Sequence, residues 1–228
     1  MKTAVTLTIF TMTMLLSNSH AVPSASSENP ASSRGWKQLA PLPDSVGWAG
    51  MFAGVLNGRL VAGGGSQFPD KPVWLQGAKT YNDRIYVLAE PDGSWEFAGT
   101  RLPEKSGHFA CAATADAIYL VGGITAAGFR PTCLVVRAEG AALVVEALPD
   151  LPKPLGYAVA AVDVGKLIVT GGQHALTDKE ASSETWSLDL GARDAAWTRE
   201  TDSPGPGMFA GACSYSMVRC HVILLSRY

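Results

Sequence analysis

Residues 66–84 collect the groups best suited to chemistry. They hold Asp70, Lys71, Lys79, Asp83 and Arg84 among Phe68, Trp74 and Tyr81. Charged groups beside flat aromatic faces suit a sugar. The rings cover its C–H faces, polar groups bond its hydroxyls, and a Lys or Arg pairs with any carboxylate it carries. Lys79 is the foremost candidate for ligand contact, with Asp70 and Trp74 in the same candidate set. A solvated loop whose aromatics pack down onto the fold explains the composition equally well. Asp83 and Arg84 border an apolar run, so a structural turn or ion pair is expected of them.

Two histidines add acid–base capacity near neutral pH. His174 follows a glycine pair and joins the candidate binding residues. His108 stands in a slot that Trp48 and Tyr157 fill elsewhere, which favours packing. Asp178, Lys179 and Glu180 share the His174 loop and read as a solvated turn. None of the four cysteines (Cys111, Cys133, Cys213 and Cys220) pairs at zinc-site spacing. Cys111 and Cys133 lie in apolar runs and are expected to pack as small hydrophobes. Nucleophile-elbow, phosphate-loop and dinucleotide signatures are missing. No cofactor and no metal are expected, and the residues leave the catalytic groups unassigned.

The elements that must position these groups repeat along the chain. Leu42-Pro43, Gly47-Trp48, a strand over residues 51–56, the turn Asn57-Gly58, Leu60-Val61 and Gly63-Gly64 form the first copy. The second runs Leu102-Pro103, Gly107-His108-Phe109, residues 118–121 and Gly122-Gly123. The third runs Leu151-Pro152, Gly156-Tyr157, residues 167–170 and Gly171-Gly172. After each glycine pair come a variable loop, a third apolar strand (residues 85–88, 134–136, 185–188) and a closing strand near Trp95, residues 143–145 and Trp197. Four short strands recurring about every 50 to 60 residues fit the kelch period. A single four-stranded sheet cannot bury both faces, so such units stack radially. The fold class expected is all-β: a kelch-type β-propeller, incomplete, with about three four-stranded blades and the start of a fourth. Residues 203–210 read as that fourth opening, with Gly207-Met208-Phe209 matched to Gly107-His108-Phe109. Beyond Cys213 the expected turn, second strand and glycine pair do not arrive; residues 211–228 read as an atypical tail that contains a plausible strand over residues 222–225 but no repeat signature. An open propeller leaves exposed sheet edges; truncation, a frameshift or assembly with another copy would account for it, and truncation is favoured.

The 228 residues are 47% hydrophobic and 17% charged, enough for a sizeable core. Twenty-four glycines and 14 prolines fall between short apolar runs as turn punctuation. A net charge of −2 without a basic stripe argues against nucleic acid or an anionic membrane as partner. Met1-Lys2, a mostly apolar run over residues 4–16 and Ser19-His20-Ala21 read as a signal peptide over residues 1–21, cleaved after Ala21. That apolar run is too short for a membrane anchor. Residues 22–34 read as a linker, residues 35–210 as the blades, and the protein as exported, periplasmic or secreted.

Residues 36–87 resemble one blade of the sialic acid mutarotases, also called N-acetylneuraminate epimerases. The resemblance rests on Leu39-Ala40-Pro41-Leu42-Pro43, on Gly50-Met51-Phe52-Ala53-Gly54-Val55 and on Ala62-Gly63-Gly64. The loop Gly65-Ser66-Gln67-Phe68-Pro69-Asp70 with Trp74, Gly77, Lys79 and Asp83 is its most distinctive part. Residues 107–136 resemble the next family blade, and the order of the two implies a cyclically permuted branch. The resemblance implies a six-bladed ring and interconversion of sialic acid anomers. It also implies a Glu and an Arg in a Gly-Glu…Arg loop of another blade. The nearest positions here, Gly123-Ile124 and Phe129-Arg130, put Ile where the Glu would stand, so no catalytic residue carries over. The implied partner is a small-molecule sugar, sialic acid. A noncatalytic kelch module binding a glycan or protein is the alternative. The residues leave the oligomeric state open.

Overall fold

The computed structural model describes residues 38–44, 47–209, 212–216 and 219–223. The expected signal peptide and linker lie outside the described residues. Three four-stranded antiparallel sheets follow one another along the chain, each running in sequence order from its first strand to its last. The first comprises β1 (Phe52–Leu56), β2 (Arg59–Gly63), β5 (Arg84–Leu88) and β6 (Glu96–Arg101). The second comprises β7 (Ala110–Ala113), β8 (Ala117–Val121), β11 (Cys133–Glu139) and β12 (Ala142–Leu148). The third comprises β13 (Val159–Asp163), β14 (Lys166–Thr170), β15 (Thr185–Asp189) and β16 (Thr198–Arg199). Between second and third strands the first two sheets insert small ribbons. These are β3 (Ser66–Gln67) with β4 (Thr80–Tyr81), and β9 (Ile124–Thr125) with β10 (Gly128–Phe129). Each four-strand unit expected from the repeats is present.

Burial explains the stacking. Phe52, Leu56, Val61 and Ile85 of the first sheet pack with Ile118 and Leu120 of the second. Tyr119, Val121 and Val135 on the other face of the second sheet pack with Ala160, Leu167 and Val169 of the third. Burying these faces supplies the main driving force, on the order of 25 cal/mol per Å² of apolar area. Cys133 is fully buried in this layer, and burial pushes its thiol up to about 12.

Backbone hydrogen bonds stitch the sheets together in a repeating register. The second glycine of each pair donates to the start of the next unit: Gly65 to Ser106 (2.9 Å), Gly123 to Leu155 (2.7 Å) and Gly172 to Met208 (2.6 Å). Both glycines of every pair have positive φ, a conformation that costs other residues dearly. This register corrects the sequence reading in three places. The first pair is Gly64-Gly65 rather than Gly63-Gly64. His108 and Tyr157 stand where the first unit has Gly50, two residues before the first strand, all three with positive φ. Trp48 lies outside that slot, and its indole donates to Asp44 at 2.8 Å. In the fourth opening, Met208 matches Ser106 and Leu155.

A further difference follows. β17 (Ala212–Ser216) pairs with β18 (Arg219–Ile223), and β17 lies beside β13. The strand expected over residues 222–225 begins earlier, at Arg219, and serves as the second strand of this opening, which was not legible because Met217-Val218 carries no turn signature.

Candidate functional site

The segments that enter β7 and β13 cross one another at backbone level. His108 N–H donates to the Gly50 carbonyl at 2.8 Å, and Tyr157 N–H donates to the His108 carbonyl at 3.1 Å. Only glycine fits at position 50, since a Cβ there would lie 2.3 Å from His108 Nδ1. The space left by that missing side chain holds the imidazole. Its ring centre lies 4.8 Å from that of Tyr157 with the planes inclined by 52°, and Tyr157 makes edge contacts with Phe129 and Phe209 at 6.1 Å each.

Against this aromatic floor the β3–β4 ribbon brings three polar groups. Ser66 Oγ lies 2.9 Å and Lys79 Nζ 3.2 Å from His108 Nε2. Lys79 Nζ also sits 5.3 Å from the centre of the Tyr81 ring, a cation–π arrangement. An ammonium can only donate, so Nε2 accepts and the ring proton resides on Nδ1. Burial first, then the neighbouring Lys79 charge, push the His108 pKa down to about 4. Burial also lowers Lys79 from its ordinary value and so strengthens the ammonium as an acid. Tyr81 is raised by burial and by Tyr157, and Tyr157 is raised by burial. The group therefore holds a proton acceptor and a proton donor side by side at neutral pH.

This arrangement has a consequence for acid stability. The folded His108 pKa lies below its unfolded value of about 6.5, so between about 6.5 and about 4 the unfolded chain binds the extra proton. Stability is expected to fall as pH drops through that window and to gain no further loss from His108 below it. Urea midpoints measured from pH 7 to pH 4 check this. A His108→Asn variant should show a flatter profile, and an unchanged profile would contradict the assignment.

Of the four candidate binding residues read from the sequence, Lys79, Asp70, Trp74 and His174, Lys79 alone joins this group. Trp74 is 78% exposed in the short 3-10 turn Val73–Leu75, and Asp70 is exposed nearby. His174 belongs to another unit. Its Nδ1 is 2.8 Å from the Pro154 carbonyl oxygen, and its Nε2 is 3.9 Å from Glu184, which also pairs with Lys153 at 2.7 Å. Asp178 accepts from the His174 and Ala175 N–H groups, which makes the turn read from the sequence. Asp83 pairs with Arg101 and Arg84 with Asp44, the structural role expected of both. Ile124 is buried and supplies no carboxylate, and Arg130 pairs instead with Glu104, which precedes β7. A cavity of about 590 Å³ between the first strands is lined by Ala53, Ala112, Ala161, Val162 and Cys111. Its one titratable group, the Cys111 thiol, is pushed up to about 11 by burial, so acid–base chemistry belongs to the His108 group instead.

Ser66 and Tyr157 were missed by sequence reasoning. The signal that could have found them is position: each lies at the bridge that closes the entry of its own unit, Ser66 opposite Ala49 and Tyr157 just after Gly156, which bridges Gln173.

No family model matches the chain. Among curated proteins it is similar to the N-acetylneuraminate epimerase of Pasteurella multocida (strain Pm70), at 28% identity over 49% of this chain and 34% of that protein. The enzyme of the same name from Salmonella enteritidis PT4 is 31% identical over 40% of this chain and 26% of its own length. That from Salmonella arizonae is 32% identical over 43% and 28%. The chain thus spans about a third or less of these relatives. Among solved structures it is similar to that titled "Structure of YjhT", with a TM-score of 0.61 at 16% identity, covering 75% of this chain and 60% of that one. This likeness speaks for a β-propeller-like fold.

Proposed function

We propose that this chain is part of an exported sugar mutarotase that interconverts the anomers of N-acetylneuraminate. The observation that carries the reading is the partly desolvated Lys79 ammonium, held 3.2 Å from a neutral imidazole on an aromatic floor. The names of the similar proteins support it. The anomeric carbon of sialic acid bears a carboxylate, and an ammonium among aromatic faces suits such a ligand. In this reading the three sheets belong to a cyclically permuted ring. Further sheets, from the rest of a longer chain, complete it and carry the Glu/Arg pair that the resemblance implies.

Saturation-transfer NMR tests the binding half of the proposal. N-acetylneuraminate should show saturation transfer from the full chain, and N-acetylmannosamine, which lacks the carboxylate, should show far less. Equal transfer to both sugars, or none to either, would remove the carboxylate argument. Export is a proposal of the same standing. Intact-mass analysis of protein recovered outside the cytoplasm should give a chain beginning at Val22, and an unprocessed Met1 chain retained in the cytoplasm would contradict it.

A further inference from the structure

We propose that the cavity where the chain crosses from the first sheet to the second is a binding site for a free α-amino acid with an apolar side chain. The cavity measures about 360 Å³, within the range of small-molecule sites, and neither Lys79 nor His108 lines it. Its inner walls are the Phe109 ring, Leu134 and Pro103. The ring lies against Gly64 and Gly123, where a Cβ would come within 3.2 Å and 2.7 Å of it, so both glycines leave it room. Glu104 and Arg130, each about half-exposed, stand at the rim as an ion pair, with Arg130 Nε 3.1 Å from Glu104 Oε2.

The third unit shows that this space is a matter of side chains and not of the backbone. Ser106 and Leu155 accept from Gly65 and Gly123, and Thr132 and Glu184 accept from Gly122 and Gly171, so each pair is equivalent. Leu134 opposite Leu120 likewise matches Trp186 opposite Val169. With Leu155, Glu184 and Trp186 in place, the corresponding space shrinks to about 10 Å³. The second unit carries the smaller residue at all three positions, and Phe109 in place of Ala158 adds an aromatic wall. Unfilled interior space costs stability, and a unit with only a structural role would be expected to close it as the third does.

The lining selects the ligand. Two of its hydroxyls are already engaged. Ser106 Oγ donates to the Glu104 carbonyl at 2.9 Å, while Thr125 Oγ1 donates to the Gly128 carbonyl at 3.3 Å and accepts from the Ala127 N–H at 3.1 Å. A monosaccharide carries a hydroxyl on almost every carbon and would bury several without partners, so the cavity does not suit a sugar. The rim charges keep capacity for a ligand. Their ion pair uses one guanidinium nitrogen and one carboxylate oxygen. Nη1 and Nη2 of Arg130 can therefore hold a carboxylate by two parallel hydrogen bonds, and Oε1 of Glu104 can accept from an ammonium. An α-amino acid presents both charges on one carbon and satisfies both residues while their own pairing persists. Its apolar side chain then fills the space between Phe109 and Leu134. A peptide end carries only one of the two charges, which commits the site to the free amino acid.

Protein-detected NMR of the full chain, titrated with L-leucine and L-phenylalanine, is the test. The amide signals of Ser106, Phe109 and Leu134 should shift saturably with at least one of the two. Isocaproate and isoamylamine, each lacking one charge of leucine, should bind at least about 10-fold more weakly, the worth of a charged hydrogen bond. Leu134→Trp, which copies the third unit, should abolish binding in a folded protein. The proposal is overturned if neither amino acid gives a saturable shift, if the one-charge analogues bind as well as leucine, or if the Trp variant binds undiminished. A methyl hexoside shifting the same amides in place of the amino acids would also overturn it. Should the Trp variant fail to fold, Glu104→Gln at the half-exposed rim decides. Leucine affinity should then fall at least about 10-fold while isocaproate affinity holds, and an unchanged leucine affinity overturns the assignment.

Discussion

Replacing Gly122 with valine is expected to cost about 2–5 kcal/mol, enough to leave many domains unfolded at equilibrium. Gly122 has φ +69°, and a Cβ there would lie 2.2 Å from the Leu155 carbonyl oxygen, a backbone atom that cannot move aside alone. Left-handed backbone accounts for about 1–2 kcal/mol of that cost and forced overpacking for about 1–3. Gly58 separates the two contributions: its φ is +77°, yet nothing lies within 4 Å of its would-be Cβ. Gly58→Val should therefore lose only the conformational part. Urea midpoints for the two variants give the comparison. Equal losses would show that the glycine pairs serve turn geometry and not the close approach of neighbouring units.

Lys79→Met is expected to weaken N-acetylneuraminate binding about 10- to 100-fold, the worth of a charged hydrogen bond in a partly desolvated place. Methionine keeps the length and the apolar stem, so packing on Tyr81 survives while the cation is lost. Removing the charge also removes one of the two influences that lower the His108 pKa. The imidazole should then titrate closer to its ordinary value. Binding is read by titration calorimetry and the imidazole by proton NMR. Unchanged affinity would take Lys79 out of the site.

Much of the fold was legible because its physics is local. Short apolar runs punctuated by Gly, Asn and Pro marked the three four-strand units, and Asn57-Gly58, both at positive φ, form the hairpin turn their types announce. The register of the first unit was not legible. Gly63, Gly64 and Gly65 stand in a row, and composition cannot say which two adopt positive φ; the N–H of Gly65 reaching Ser106 decides it. The pairing of β18 with β17 was not legible because the sequence between them lacks the usual turn residues.

The site was half legible. Lys79 was marked by its type and its aromatic neighbours. His108 was read as a packing residue because it shares its slot with Tyr157, and it does pack there. Its second face is invisible to sequence, since Ser66 lies 42 residues away and reaches it through a ribbon that local pattern does not register. Conversely, Trp74 and His174 have suitable chemistry but belong to an exposed turn and to another unit's polar cleft. Residue type nominated them; tertiary placement set them apart.

The most direct test follows freshly released α-N-acetylneuraminate by proton NMR in the presence of the full chain. The account predicts that conversion to the β anomer accelerates in proportion to the concentration of protein that includes the further sheets. Decay at the buffer rate at every concentration of folded protein would contradict it.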